Sequence, residues 1–216
     1  MARLLTDLRD VLSGFANRVM RKRRWYYAGA IVTVAAACAL FRVDGELHRR
    51  CVDQRSERTV RLAAHFSYWG DLFPGTVAVC GVVFGIGLLR KRSRWRRTAL
   101  ACAAAALLAI VVVNAIKSLS GRPRPYVGRE DGFYGPTPGQ DYRSFPSGHA
   151  ATSAATAAAL SAAFPPLTPL AAAAAGGVAW SRVCLDMHYV SDILVGAMIG
   201  IGFGLPFGFA ARKGKG

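Results

Sequence analysis

The sequence predicts an all-α membrane protein: a bundle of six transmembrane helices, with an amphipathic surface helix at its N-terminus. Of its 216 residues, 53% are apolar, and they cluster in blocks of about membrane-spanning length. The chain nevertheless carries a formal charge of +16, with many basic residues in the segments between blocks. Charges placed this way are typical of helical membrane proteins and argue against a nucleic-acid-binding protein.

The first element is a helix with its apolar residues on one side. Within residues 1–20 these residues recur at helical spacing: Leu4, Leu5, Leu8, Val11, Leu12, Phe15 and Val19. Because basic residues flank the stripe, it favours a helix on the membrane surface; a helix packed on the protein's own cytoplasmic face fits equally well. We assign residues 1–24 to this basic cytoplasmic helix, 25–211 to the membrane domain and 212–216 to a basic cytoplasmic tail.

Apolar blocks follow along the rest of the chain. They cover about residues 25–43, 72–89, 98–116, 149–164, 167–181 and 190–210. The third is the clearest, since at 1.5 Å per residue it approaches the ~30 Å hydrocarbon thickness. The fourth and fifth are short, and Pro165 and Pro166 separate them. In the last block Gly196, Gly200 and Gly204 recur every four residues, which predicts close packing against another helix.

The distribution of Lys and Arg predicts which helix ends face the cytoplasm. The segment before the first block, residues 90–97 and the C-terminal tail together hold sixteen basic residues and only two acids, Asp7 and Asp10. By the positive-inside rule this side is cytoplasmic. The outer side then receives residues 44–71, 117–148 and 182–189. With an Ala- and Arg-rich composition that fits a GC-rich bacterium, this predicts an integral protein of the bacterial inner (plasma) membrane, with its polar clusters facing the periplasm or exterior.

Polar clusters at the outer helix ends predict a phosphate-binding site. Lys117, Arg124 and Arg182 supply cations, and guanidinium groups match phosphate oxygens. Ser147 and Gly148 open the fourth block, so backbone N–H groups and the positive end of a helix dipole face the same place. Because neighbouring helix ends of a small bundle lie close together, we expect these groups to share one patch.

Two histidines accompany this patch. His188 and Asp192 are four residues apart, so one helical turn places the carboxylate near the ring and leaves the other ring nitrogen available. His188 is then a candidate nucleophile towards phosphorus, and His149 a candidate acid and base. Ser147 is not predicted to attack, because a serine elbow needs G-x-S-x-G after a strand. Each of these residues, taken alone, has an ordinary structural explanation. Their order along the chain and their shared location on the outer side of the membrane together point to catalysis.

In these motifs the chain resembles the type 2 phosphatidic acid phosphatase (PAP2) family of integral-membrane lipid phosphatases. The family's pattern, K-x6-R-P, P-S-G-H and S-R-x5-H-x3-D, reads here as Lys117 with Arg124–Pro125, Pro146–Ser147–Gly148–His149, and Ser181–Arg182 with His188 and Asp192. The resemblance implies a phosphatase without metal or other cofactor, with a phosphohistidine on His188, His149 as acid and base, and Asp192 supporting His188. It implies that the phosphate is held by Lys117, Arg124, Ser147, Gly148 and Arg182.

The expected substrate is a lipid phosphate, with membrane lipids as the other partners and no nucleic acid. Bacterial family members of this size act on undecaprenyl diphosphate, phosphatidate, phosphatidylglycerol phosphate or the lipid A 1-phosphate. For this chain we favour a polyprenyl diphosphate or a glycerolipid phosphate in the outer leaflet, without choosing between them. The alternative function is a non-catalytic lipid-phosphate binding or transport protein. An inactive relative would be expected to lose a histidine or the aspartate, and this chain keeps all three. The oligomeric state is not predicted.

Overall fold

The computed structural model describes residues 2–213, and every regular element in that range is helical. The α-helices are α1 (Ala2–Phe41), α2 (Asp44–Asp53), α3 (Glu57–Gly70), α4 (Val77–Leu89), α5 (Ser93–Ser120), α6 (Gly148–Ala163), α7 (Thr168–Cys184) and α8 (Val190–Lys213). A π-helical turn, Leu72–Thr76, joins α3 to α4, and 3-10 turns cover Pro125–Val127, Gln140–Tyr142 and Pro165–Leu167. The predicted all-α class is confirmed.

Several of these helices suit a membrane. Among the described residues, the stretches long and apolar enough to cross one are Arg3–Phe41, Leu72–Leu89, Ser93–Val127 and Val190–Arg212. The predicted fourth and fifth blocks form α6 and α7, of 16 and 17 residues, which is about 24–26 Å at 1.5 Å per residue. Both are shorter than the hydrocarbon layer, so the count of six spans stays a prediction.

The N-terminal stripe and the first apolar block form one continuous helix, α1, of 40 residues. The segment between them contains Arg, Lys and Met but neither Gly nor Pro, so nothing breaks the helix. The surface helix predicted for residues 1–24 is therefore the first part of α1 and not a separate element. Val11 is fully buried and the Phe15 ring stacks on Phe207 of α8 at a centroid distance of 4.0 Å, whereas Leu5 is 61% exposed. The stripe thus packs in part on the protein's own helices.

The start of α1, residues 90–97 and the end of α8 meet at what we call the basic end. There Arg96 Nε donates to the Asp7 carboxylate at 3.0 Å, and Arg97 lies 3.7 Å from Asp10. The two acids predicted for the basic side thus pair with its arginines. The opposite end, where α5 ends and α6 begins, is called the site end.

Residues 44–71, predicted only as an outer segment, form α2 and α3. A reciprocal cap starts α3: the Ser56 hydroxyl accepts from the Thr59 N–H at 3.3 Å, and the Thr59 hydroxyl accepts from the Ser56 N–H at 2.7 Å. α3 packs along α7, where a Cβ at Gly177 would lie 2.3 Å from the Phe66 ring. This packing brings Ser67 and Asp71 to the site end.

α6 and α8 touch along their backbones. Four glycines of α8 each face a carbonyl oxygen of α6, and a Cβ at any of them would lie 2.2–2.4 Å from that oxygen: Gly196, Gly200, Gly204 and Gly208. The predicted close packing is confirmed, and Gly208 extends it by a turn. The facing surface of α6 is mostly buried alanine. Small residues on both helices permit this approach, which sets the starts of α6 and α8 side by side.

Candidate active site

Six of the eight predicted site residues line one cavity of about 340 Å³ at the site end: Lys117, Arg124, Gly148, His149, Arg182 and His188. The other two, Ser147 and Asp192, are fully buried and do not line it. The fold thus gathers side chains from α5, α6, α7 and the segments that follow α5 and α7.

Two of the cations come from α5 and the segment after it. Lys117 lies in the last turn of α5, and its Nζ donates to the Arg143 carbonyl at 2.5 Å. Arg124 stands between two prolines, which keep its backbone extended. Its N–H donates to the Asp141 carbonyl at 2.7 Å and its Nε to the Gln140 carbonyl at 3.1 Å. These contacts fix both side chains at the cavity.

The third cation, Arg182, lies in the last turn of α7 and is 5% exposed. One of its terminal nitrogens donates to the hydroxyl of Ser67 on α3. Its Nε is buried and has no hydrogen-bond partner among the described residues. A buried donor left unpaired costs about 1–3 kcal/mol, so this guanidinium is suited to donate to the oxygens of an anion.

The N-terminus of α6 forms another wall of the cavity. The Ser147 hydroxyl caps the helix by accepting from the Ala150 N–H at 3.4 Å, and the Ser147 N–H donates to the Asp192 carbonyl at 3.0 Å. The first N–H groups of a helix lack intrahelical partners, and Gly148 places them at the cavity. A Cβ at Gly148 would lie 3.0 Å from Ile110 of α5, so glycine lets the two helices approach.

His188 lies in the turn between α7 and α8 and is 2% exposed. Its Nδ1 is 3.6 Å from Oδ2 of Asp192, slightly beyond hydrogen-bond length, and has no hydrogen-bond partner among the described residues. The spacing of four residues therefore places the carboxylate beside the ring, as expected. Because Nδ1 faces Asp192, Nε2 lies on the far edge of the imidazole.

The surroundings of His188 favour its neutral form. Burial lowers its pKa below the ordinary value of about 6.5. The carboxylate of Asp192 opposes this shift in pKa, while Lys117 and Arg182 add to it. At neutral pH the ring therefore keeps the lone pair that a nucleophile needs.

His149 is the second residue of α6 and lines the cavity together with Asp71, the residue that follows α3. The Asp71 carboxylate accepts from the Leu72 N–H at 2.6 Å. Sequence reasoning did not single out Asp71. One acid thus stands in an otherwise cationic cavity, on the side of His149.

A comparison with protein families decides the assignment of the chain. The model of the PAP2 superfamily matches residues 97–208, just over half of the chain. The protein belongs to the PAP2 superfamily. The matched range contains all eight predicted site residues.

Individual relatives agree with the PAP2 assignment. A lipid A 1-phosphatase of Rhizobium etli is 34% identical over 98 residues, which are 44% of this chain and 42% of that protein, so the match spans less than half of the relative's length. The crystal structure of Aquifex aeolicus LpxE has 26% identity and a TM-score of 0.55, covering 75% of this chain and 92% of that one. A PAP2-type phosphatidylglycerolphosphate phosphatase from Bacillus subtilis has 23% identity and a TM-score of 0.56, covering 82% and 91%. At that identity it supports the fold alone.

The cavity lined by the PAP2 motif residues, which we call the PAP2 site, adjoins a larger, apolar cavity. The apolar cavity lies between α3, α4, α6 and α7 and has a volume of about 810 Å³. Phe66, Val82 and Leu160 are among its lining residues. Gly70 and Ser153 also line it, and each is next in sequence to a residue of the PAP2 site, Asp71 and Thr152. Thr152 also donates to the Gly70 carbonyl at 3.4 Å, so the two cavities share a wall.

The most connected side chain beside the PAP2 site was missed by sequence reasoning. Arg122 occupies an unspecified position of K-x6-R-P, yet it is fully buried and pairs with Asp44, Asp131 and Asp192. No sequence pattern links these residues, because Asp44 and Asp131 lie outside the PAP2 motifs. Only the folded chain brings them within hydrogen-bond distance.

Proposed function

We propose that this protein is a membrane lipid phosphate phosphatase that hydrolyses a phosphomonoester or diphosphate headgroup. The observation that carries the proposal is one cavity lined by four cations, a helix N-terminus and two histidines; the cations are Lys117, Arg124, Arg182 and Arg143. Cations and backbone donors around so small a cavity suit a tetrahedral oxyanion. A neutral, buried imidazole at the same cavity adds a nucleophile.

In the first step, Nε2 of His188 attacks phosphorus and the bond from phosphorus to the leaving oxygen breaks. His149, in its protonated form, gives its proton to that oxygen. The lipid leaves as an alcohol, or as a monophosphate if the substrate is a diphosphate. Asp192 offsets the positive charge that the His188 ring acquires. Lys117, Arg124, Arg182 and the N–H groups of Gly148 and His149, the first two residues of α6, stabilise the phosphoryl oxygens, a task that needs no metal. Ser147 contributes as the cap of that helix, because its N–H already donates to the Asp192 carbonyl.

In the second step, neutral His149 takes a proton from water, and the resulting hydroxide attacks the phosphohistidine. The phosphorus–nitrogen bond breaks, inorganic phosphate leaves and His188 returns to its neutral form. His149 is again protonated and ready for the next substrate.

A lipid substrate is supported by the apolar cavity that shares a wall with the site. A phosphate at His149 would place the attached chain near Phe66 and Leu160. The Rhizobium relative is a lipid A 1-phosphatase, so the lipid A 1-phosphate is the first substrate to test. Undecaprenyl diphosphate, phosphatidate and phosphatidylglycerol phosphate complete the panel.

We also propose that the site end faces the periplasm or exterior of a bacterial inner membrane, with α6 and α7 as two short spans among six. The basic end then faces the cytoplasm. In this arrangement residues 25–211 form the catalytic membrane domain, and residues 1–24 and 212–216 are basic cytoplasmic extensions. Exposed Leu4 and Leu5 suit contact with lipid by the first turns of α1. Residues 214–216 lie outside the described part of the chain.

The test measures phosphate release from this panel by the purified protein in detergent. His188→Ala should lower kcat by at least ~10³-fold, because the proposed covalent intermediate forms on the imidazole that this change removes. His48→Gln is the matched control: His48 forms the other His–Asp pair, with Asp186 at 2.6 Å, and does not line the cavity. It should keep the rate within about threefold. Excess chelator should leave the wild-type rate unchanged.

Turnover by His188→Ala would contradict the nucleophile assignment. Tight binding of a lipid phosphate without any release of phosphate by the wild type would instead support the non-catalytic binding or transport function.

A further inference from the structure

Behind His188, three carboxylates converge on the guanidinium of Arg122, which does not line the cavity. Nη1 donates to Oδ1 of Asp192 and to the Ser191 hydroxyl, both at 2.7 Å. Nη2 donates to Asp44 at 2.9 Å and to Asp131 at 2.6 Å, and Nε donates to Asp131 at 2.8 Å. All five N–H donors of the guanidinium are therefore used, so its orientation is fixed.

This arginine determines where the Asp192 carboxylate points. Oδ1 of Asp192 accepts from Arg122, while Oδ2 accepts from the Ser144 hydroxyl at 2.6 Å and the Tyr189 N–H at 2.9 Å. Oδ2 is also the oxygen that lies 3.6 Å from Nδ1 of His188. Because the two oxygens belong to one rigid group, holding Oδ1 fixes the direction of Oδ2.

Arg122 is itself held from two other parts of the chain. Asp44, the first residue of α2, also accepts from the Ser191 N–H at 3.0 Å, which ties α2 to the start of α8. Asp131 comes from the loop between α5 and α6. The guanidinium carbon lies 4.8 Å from the Phe41 ring centre and 4.2 Å from that of Tyr189, so aromatic faces limit its movement.

The cluster also has the charge that the proposed chemistry requires. One guanidinium and three carboxylates carry a formal charge of −2 on the Asp192 side of His188, whereas the cations Lys117, Arg124, Arg143 and Arg182 line the cavity proposed to bind phosphate. When Nε2 bonds to phosphorus, the ring becomes positive. A carboxylate directed at Nδ1 stabilises that charge, as in His–Asp pairs generally.

We propose that Arg122, held by Asp44 and Asp131, is a positioning residue that directs the Asp192 carboxylate at Nδ1 of His188. The proposal rests on the proposed phosphatase function and adds a layer of residues to it. Arg122 touches neither substrate nor reacting atoms, and its effect passes through Asp192.

The test is a double-mutant cycle of Arg122→Gln with Asp192→Asn. Arg122→Gln should lower kcat by about 10- to 100-fold, the usual effect of losing a partner that orients a functional side chain, and change KM by less than about threefold. In the Asp192→Asn background, Arg122→Gln should lower kcat by less than about threefold further, because the carboxylate that Arg122 positions is gone.

The matched control is Arg129→Gln. Arg129 lies in the same loop, is exposed and donates to the Tyr142 hydroxyl. It should keep kcat within about twofold.

Arg122→Gln leaves buried carboxylates unpaired, so folding is checked by size-exclusion profile and thermal midpoint. Asp44→Asn keeps the Arg122–Asp192 bond and serves as the milder second variant. It should lower kcat by about 3- to 10-fold, and this loss should also vanish in the Asp192→Asn background. Equal losses in both backgrounds, or an unchanged kcat in folded Arg122→Gln, would overturn the positioning role.

A failure of the proposed function can be told apart from a failure of this inference. Absence of phosphate release by the wild type would refute the phosphatase, and positioning is then judged by calorimetric affinity for orthovanadate, an analogue of five-coordinate phosphorus. Arg122→Gln and Asp192→Asn should weaken that affinity by the same factor, and the double variant by no more than either one. Unaltered orthovanadate affinity in Arg122→Gln would contradict the inference.

Discussion

At the scale of single residues, the imidazole of His188 separates two kinds of charge. Lys117, Arg124 and Arg182 line the cavity, and Asp192 lies beside Nδ1 with Arg122 behind it. Burial of the ring favours its neutral form. In the proposed mechanism the cations attract the anion, while the carboxylate counters the charge that the ring gains only after attack.

The lowered pKa of His188 predicts at which end of the pH range the enzyme loses activity. In the proposed mechanism the neutral ring attacks, so the contribution of His188 to activity is lost as the pH falls through its lowered pKa. The acid limb of kcat/KM that belongs to His188 should therefore lie below about pH 6.5, the ordinary histidine value. Asp192→Asn removes the group that raises this pKa, so the limb of its residual activity should move to still lower pH.

The dependence of kcat/KM on pH is measured with two substrates whose phosphate groups have different pKa values. A loss of activity that occurs at the same pH with both substrates then belongs to the enzyme and not to the substrate. Samples returned to neutral pH should recover full activity, which separates titration from unfolding. If both substrates gave an acid limb above pH 6.5, that loss of activity would not be caused by protonation of His188.

Individual site residues could be predicted where local spacing carries the information. His188 and Asp192 are one helical turn apart, and the spacing alone placed them together. Ser147 and Gly148 were recognisable as a helix start. The contacts of Arg122 were not predictable, because its partners Asp44 and Asp192 lie 78 and 70 residues away in sequence.

At the scale of helices, the contact between α6 and α8 sets the geometry of the site. The Ser147 N–H donates to the Asp192 carbonyl at 3.0 Å, and a Cβ at Gly196 would lie 2.3 Å from the Ser147 carbonyl oxygen. His149 and Asp192 therefore belong to two helices that are joined at their first turns.

A matched pair of glycine variants tests this contact. Gly200→Ala should destabilise the protein by about 1–3 kcal/mol, as overpacking does, because its Cβ would lie 2.2 Å from the Ala151 carbonyl oxygen. Gly202 lies on the same helix with nothing within 4 Å of its Cβ position. Gly202→Ala should therefore raise the free energy of unfolding by about 0.5–1 kcal/mol, because alanine has the higher helix propensity. Thermal unfolding in detergent measures both. Equal midpoints for the two variants would show that the α6–α8 backbone contact is not tight.

Helix positions were predictable where apolar runs were long, and less so elsewhere. The blocks at 98–116 and 190–210 fall within α5 and α8, since continuous apolar sequence leaves little choice of structure. α2 and α3 were missed because their segment is largely polar, although the Ser56–Thr59 cap is a local helix signal. The continuity of α1 was missed because amphipathic and fully apolar stretches can follow one another without a break.

At the scale of the whole molecule, the two ends of the bundle differ in chemistry. Asp7, Asp10, Arg96 and Arg97 meet at the basic end, and the cavity with the two histidines lies at the opposite end. Charge asymmetry of this kind orients a membrane protein.

Cysteine labelling tests the proposed orientation. In a background whose native cysteines are changed to Ser or Ala, Glu130→Cys places a thiol on the exposed loop at the site end. It should react with an impermeant maleimide in spheroplasts. Arg92→Cys, exposed at the basic end, should react only after permeabilisation. The reverse pattern would place the site on the cytoplasmic face.

The backbone contact of α6 with α8 also bears on how descendants of this gene can diverge. Gly196 and Ser147 set the spacing of the first turns of α6 and α8 through main-chain atoms, whereas side chains such as Phe66, Val82 and Leu160 shape the neighbouring apolar cavity. Mutations can therefore reshape the apolar cavity, where we propose that the lipid chain binds, without moving the helix starts where we propose that the phosphate binds. One inherited site of the proposed kind can in this way be combined with apolar cavities that fit different lipid chains.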